Sequence, residues 1–256
     1  MRRLAPITLL ALATLALSGC IMPPPLPGAD TQGSGSDASQ GSDASPDQGA
    51  SAWPRNMASY GVIFTADGVL ETPAATAQRA AVEVDAPHAI LYVDFQCPHC
   101  GTFEAANGDD LGEAVAAGEI ALEVRPLTFL DRGALDGAST LAANAFAAVV
   151  DEFPETAWAF YRGVFLLQST GEPLTADALI ELAATVGAQS EQLSERIRGV
   201  QFRAFTDAAN EAGLSEPVVA GVPAPQGTPA FYLDGQQYDG PIDQPGAVAA
   251  FLDEQR

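Results

Sequence analysis

The sequence predicts an α/β protein in which a helical block separates two strand-bearing halves. Three observations carry that prediction. The apolar, β-branched and aromatic stretch Ala89-Ile90-Leu91-Tyr92-Val93 runs directly into Asp94-Phe95-Gln96-Cys97-Pro98-His99-Cys100 and then into a helical start at Gly101–Ala106. Residues 134–212 carry helical spacing and no strand signal. After Gly227-Thr228-Pro229, a strand, an Asp234-Gly235 turn and a second strand return.

Taken in order, residues 1–19 read as an export signal: Met1-Arg2-Arg3, then an apolar run from Leu4 to Leu17 that is short for a spanning helix. The run ends in Leu17-Ser18-Gly19-Cys20, which resembles a bacterial lipoprotein signal and implies lipidation of Cys20. An ordinary signal peptide with an incidental cysteine is the plainer alternative. Both place the protein outside the cytoplasm, where disulfides persist. Residues 20–57 turn to Pro, Gly, Ser, Asp and Gln, with Pro23-Pro24-Pro25 and Gly-Ser-Asp-Ala-Ser repeats. Too little apolar surface remains there to offset ordering, so a disordered tether is expected. A flexible coil of about 35 residues has a mean reach of roughly 30–35 Å.

The folded part is expected over residues 58–256. Tyr60–Phe64 and Val69-Leu70 flank the turn signal Asp67-Gly68 and read as a short hairpin; residues 72–88 carry no clear assignment. Asn107-Gly108-Asp109-Asp110 is expected to interrupt the helix that begins at the cysteines, with Leu111–Ala117 continuing it. In Ile120–Leu127, Ile120, Leu122 and Val124 alternate against Ala121, Glu123 and Arg125, a strand pattern. Four helices follow, over 134–152, 155–168, 176–186 and 190–212. The aromatic cluster around Trp158 reads as helix packing, and Glu195, Arg196 and Arg198 as a solvated face. A short amphipathic helix over Gly246–Glu254 closes the chain.

Charge and cysteine count narrow the function. The formal net charge is −22, all eleven basic residues are Arg, and losing residues 1–19 would make it −24. So acidic a chain repels phosphate backbones, which excludes nucleic acid as a partner. Of three cysteines, Cys20 belongs to the signal, leaving Cys97 and Cys100. A bridge across two residues constrains little chain entropy, so a stabilising role explains it poorly. At the head of a helix, however, unpaired N–H groups and a partial positive charge favour a thiolate. Zinc on Cys97, His99 and Cys100 is disfavoured, because structural zinc takes four converging ligands and no second pair exists. No metal and no cofactor beyond the redox-active Cys97–Cys100 disulfide is expected.

The succession of strand, Cys-Pro-His-Cys helix, strand, helical block, Gly-Thr-Pro, hairpin and helix resembles the DsbA-like thiol:disulfide oxidoreductases. The likeness covers residues 59–254, and its most specific parts are Asp94–Cys100, Gly227-Thr228-Pro229 and Phe231–Gly235. It implies a thioredoxin fold with an inserted α-helical domain at about 132–213. It also implies roles: Cys97 as the exposed nucleophile, Cys100 as the buried resolving sulfur, and Pro98 and His99 as residues that tune the potential. Pro229 matches the family's cis-proline, which with Pro98 and Thr228 would meet the client peptide. Two departures stand out. The buried acid of many thioredoxin-fold enzymes, six residues before the first cysteine, is here Leu91. Asp94 either acts on the site through solvent or is an exposed strand-end acid. The Pro223-Ala224-Pro225-Gln226 stretch also lengthens the loop before Gly227 and would reshape the groove.

These readings predict disulfide exchange with exported cysteine-containing proteins, most simply as an oxidase. A helix-terminal thiolate can fall from about 8.5 to roughly 3.5. At about 1.36 kcal/mol per unit that is roughly 7 kcal/mol, or about 150 mV toward oxidising power. An oxidase needs a membrane re-oxidant of DsbB-like or VKOR-like type; a reductase or isomerase needs a reducing donor. A tethered scaffold with an idle dithiol is the non-enzymatic alternative. His99 is expected to add a hydrogen bond or charge to Cys97, so that His99→Ala weakens the oxidant. His88, beside Pro87, is expected to be structural or exposed.

Overall fold

A computed structural model describes residues 53–132 and 137–255. The signal segment, Cys20 and the tether up to residue 52 lie outside the described residues, as do residues 133–136 at the expected start of the helical block. No helix among the described residues is long and apolar enough to cross a membrane.

The central strand forms where the apolar run predicts it. Strand β3 (His88–Asp94) is buried from Ala89 onward, and its side chains alternate between two cores. Ala89, Leu91 and Val93 face the main core; Ile90 and Tyr92 face a smaller one with Leu127, Val218 and Tyr232. Around it lie β1 (Val62–Thr65), β2 (Gly68–Val69), β4 (Ala121–Leu127), β5 (Ala230–Leu233) and β6 (Gln236–Gln237). The order across the sheet is β2-β1-β4-β3-β5-β6. Strands β3 and β4 run parallel, with Leu91 opposite Val124, while β5 is antiparallel to β3, with Phe231 opposite Leu91.

Helix α1 (Pro98–Ala116) crosses from β3 to β4. The break expected at Asn107-Gly108 is absent: α1 runs unbroken for 19 residues. Tertiary contacts use both residues instead. The Asn107 amide donates to the carbonyls of Phe103 at 3.1 Å and Ile242 at 3.2 Å, tying α1 to the loop before the last helix, α7 (Ala247–Glu254). Gly108 leaves room for the Glu104 carboxylate, which pairs with Arg162 at 2.8 Å and whose Oε1 would lie 2.1 Å from an added Cβ.

The insertion comprises α2 (Ala138–Glu152), α3 (Ala157–Ser169), α4 (Ala176–Thr185), α5 (Glu191–Arg198) and α6 (Arg203–Ser215). The single helix expected over 190–212 is therefore two. Val200 adopts a left-handed φ of 46° between them. Buried Asn144 of α2 makes the break tolerable, accepting from Phe202 N at 2.8 Å and donating to Arg196 O at 3.1 Å. Arg196 also departs from the expected solvated face: it pairs with Asp151 at 2.5 Å and lies over the Phe202 ring at 5.6 Å. Glu195 and Arg198 are exposed as expected. Trp158 packs on Tyr161 and Phe64, at ring separations of 5.4 and 5.1 Å, so its cluster is core.

The polar face of β4 is covered too. Glu123 and Arg125 form a two-point pair at 2.7 and 2.8 Å, Arg125 donates to Tyr92 at 2.7 Å, and His88 Nε2 stands 3.0 Å from Glu123. Burial opposes the charge on Glu123, yet Arg125 and His88 hold it down at about 2. His88 is thus structural.

Candidate active site

The turn Asp94–Cys97 carries the chain from β3 into α1. Cys97 is the N-cap residue of α1, with extended φ and ψ of −73° and 115°, and Pro98 occupies the first helical position, where no N–H is needed. Cys97 N donates to Asp94 O at 2.9 Å, and Cys97 O accepts from Cys100 N at 3.0 Å and Gly101 N at 3.3 Å. Both sulfurs therefore sit at the helix head, as free thiols.

Their environments differ sharply. Cys100 is 1% exposed and Cys97 7%. The expectation of an exposed nucleophile is corrected to a shallowly buried one, because the loop before β5 closes over it: the Cys97 thiol donates to Thr228 O at 3.3 Å. Cys97 is lowered to about 5, chiefly by the Cys100 thiol, then by Thr228 and the backbone N–H groups of Cys100 and His99; burial works against the shift. Cys100 moves the other way, raised by burial and by its bond to, and charge repulsion from, Cys97. One sulfur is thus prepared as a thiolate and its neighbour as a thiol.

The structure brings the remaining sequence-named residues to the same place. Thr228-Pro229 is a cis peptide, as the resemblance implies, and stands against Cys97. The Thr228 hydroxyl is buried beside the sulfurs and is among the groups that hold Cys97 down. Pro98 and His99 are exposed at the rim, and His99 reaches the sulfur through its backbone N–H. A tight turn precedes the lengthened loop, with Val218 N donating to Val222 O at 2.9 Å, and within the loop Pro225 is buried.

Asp94 is neither exposed nor solvent-linked. It is 0% exposed, and its carboxylate accepts from Ser139 Oγ at 2.5 Å, Gln96 N at 2.9 Å and Leu130 N at 3.1 Å. Burial raises its pKa against those bonds. Gln96 extends the network, donating to Ser139 Oγ at 2.8 Å and to Asp131 at 2.6 Å. Asp131 in turn accepts from the first N–H groups of α2, Ser139 at 3.0 Å and Thr140 at 2.7 Å. From α3, Gln168 donates to Phe95 O at 2.6 Å and Cys97 O at 3.1 Å. Sequence reasoning missed Gln168, Ser139 and Asp131. Their only local trace is the glycine after the second cysteine, which Gln168 requires.

A dithiol of this geometry can take a sulfur into a mixed disulfide at Cys97 and resolve it from Cys100. Among the described residues, no group of three or more His, Cys, Asp or Glu side chains converges to hold a metal.

Comparison with known proteins agrees with this architecture. The solved structure of MdbA, a thiol-disulfide oxidoreductase from Corynebacterium diphtheriae, is 22% identical, with a TM-score of 0.57 over 82% of this chain and 97% of that one. Reduced DsbA from Mycobacterium tuberculosis is 23% identical, with a TM-score of 0.56 over 76% and 91%. Oxidised BdbD from Bacillus subtilis is 17% identical, with a TM-score of 0.53 over 80% and 96%. No curated protein sequence matches. A family model described as thioredoxin matches residues 77–254. That match begins before β3 and ends in α7, taking in both halves of the sheet and the helices between them, and so the chain belongs to the thioredoxin family, with a DsbA-like helical insertion.

Proposed function

We propose that this protein is an extracytoplasmic thiol:disulfide oxidoreductase that oxidises exported cysteine-containing proteins. The observation that carries the reading is the opposed pair of sulfurs, Cys97 held at about 5 and Cys100 raised. In the oxidised enzyme a client thiolate attacks Cys97 Sγ. The Cys97–Cys100 bond breaks, its electron pair leaves on Cys100, and Cys100 takes a proton. A second client thiolate then attacks the client sulfur of the mixed disulfide and releases Cys97 as a thiolate. The client leaves oxidised by two electrons and the enzyme is reduced by two.

Direction follows from the thiolate. Against an ordinary thiol near 8.5, ionisation at about 5 favours the reduced form at pH 7 by about 2.7 kcal/mol, or about 60 mV toward oxidising power. This supports an oxidase over a reductase. The fold of MdbA, DsbA and BdbD agrees with the class. The Thr228-Pro229 cis peptide and the exposed Pro98 form the surface on which a client strand would lie. Lipidation at Cys20 would tether the enzyme to the outer face of the cytoplasmic membrane, within reach of a DsbB-like or VKOR-like re-oxidant.

Equilibration with glutathione buffers tests the reading. The dithiol is expected to be reduced at potentials well above thioredoxin's, about −270 mV, and Cys97→Ser is expected to abolish oxidation of a reduced, unfolded client. A potential near thioredoxin's would instead mark a reductase, and unimpaired client oxidation by Cys97→Ser would end the proposal.

A further inference from the structure

We propose that Gln168, contributed by the inserted helices, is a positioning residue for the Cys97 nucleophile. It acts through the carbonyls of the catalytic turn. A side-chain amide has two N–H hydrogens, and both are taken by that turn: Gln168 Nε2 lies 2.6 Å from Phe95 O and 3.1 Å from Cys97 O. Those carbonyls are the negative ends of peptide dipoles in the segment that carries the thiolate. Unopposed, they would disfavour a charged sulfur. The positive end of the Gln168 amide is set against them, and Cys97 O, with Cys100 N and Gly101 N, accepts from three donors in all.

Gly101 belongs to the same device. A Cβ there would lie 2.3 Å from Gln168 Oε1, closer than real side-chain carbons approach. Any other residue after Cys100 would push the amide off the turn. Gly101 lies in the first turns of α1, where alanine is the better helix former by about 1 kcal/mol. Glycine at this position therefore costs helix stability, and the space it leaves is occupied by Gln168.

A merely structural bolt between α3 and the sheet would make a different prediction. Losing it would lower stability and leave the sulfur's acidity alone. The test is the ultraviolet titration of the Cys97 thiolate in the full reduced protein. Gln168→Leu is expected to raise the midpoint so that the thiolate fraction at acidic pH falls about three- to tenfold, the value of one ordinary hydrogen bond. Gln168→Glu is expected to shift it further, since a carboxylate repels both carbonyls. Gly101→Ala, which keeps Gln168 but displaces it, is expected to reproduce the Leu shift, and Gly101→Ala with Gln168→Leu to add nothing more. An unchanged midpoint in folded Gln168→Leu, or shifts that simply add in the double variant, overturns the inference. Its significance rests on the proposed disulfide exchange, but the titration needs no turnover. A wild-type chain that exchanged no disulfides would sink that function and leave this measurement standing.

Discussion

On the client side of the catalytic turn the chain offers Cys97 one loop, Gly227-Thr228-Pro229, whose carbonyl meets the sulfur at 3.3 Å and whose hydroxyl helps to hold its pKa down. On the insertion side the side chains hold the turn beneath the sulfur instead. Gln168 takes two carbonyls, Ser139 and Leu130 N take the Asp94 carboxylate, and Asp131 takes Gln96. The contrast separates two tasks. An exchange enzyme must leave one wall free for a peptide and still hold a sulfur within tenths of an ångström of its helix. Here the second task falls to the inserted helices.

The largest effect is expected where the insertion grips hardest. Phe95 is fully buried, with ring centroids 5.3 Å from Phe165, 5.8 Å from Phe146 and 6.2 Å from Tyr161. Phe95→Ala is expected to cost about 3–5 kcal/mol of stability, read by urea unfolding. Because the ring anchors the turn, the same variant should lose the low pKa of Cys97. A folded Phe95→Ala protein with an unshifted thiolate would show that the two walls are not divided as described.

A somewhat smaller effect sharpens the contrast between the sulfurs. An unfolded cysteine ionises near 8.5, whereas folded Cys97 does so at about 5. Its contribution to the reduced folded state is complete above the unfolded value, shrinks as pH falls, and is gone below pH 5. At pH 7 it is about 2.7 kcal/mol. Cys100 has the opposite sign, since the fold keeps it a thiol while the unfolded chain ionises it. Stability of the reduced protein relative to Cys97→Ser should therefore climb from pH 5 to about 8.5 and no further. A flat difference across that window would mean that the fold does not stabilise the thiolate.

What could be read in advance follows the same division. The client wall is local in sequence: strand, Cys-x-x-Cys, helix, and later Thr-Pro with a hairpin, each specified by neighbours a few residues apart. The insertion wall is not. Asp94 is surrounded by Ser139 and Leu130, so nothing near it foretells burial. Asn107-Gly108 looks like a helix stop, but Ile242 and the Glu104–Arg162 pair give both residues tertiary uses that outweigh propensity. The division of residues 190–212 into two helices is decided by Asn144 on α2. Glu123 and Arg125 alternate as a strand should, yet a second layer covers the face they were free to expose.

The smallest effect concerns His99, the residue that local reasoning placed closest to the sulfur. Its backbone N–H does reach Cys97, but its side chain is exposed and makes no hydrogen bond among the described residues. His99→Ala keeps the N–H and removes only a ring that acts through solvent. The variant is expected to be a weaker oxidant by about two- to threefold in its glutathione equilibrium, the range of a solvent-exposed charge interaction. An interaction of that kind is screened, since the Debye length falls from about 10 Å at 0.1 M to about 3 Å at 1 M salt. The difference between variant and wild type should accordingly vanish in molar salt, while the difference made by Gln168→Leu, whose hydrogen bonds are partly buried, should persist. A His99 effect that survived high salt would place the imidazole directly on the sulfur and make the client wall more than a backbone.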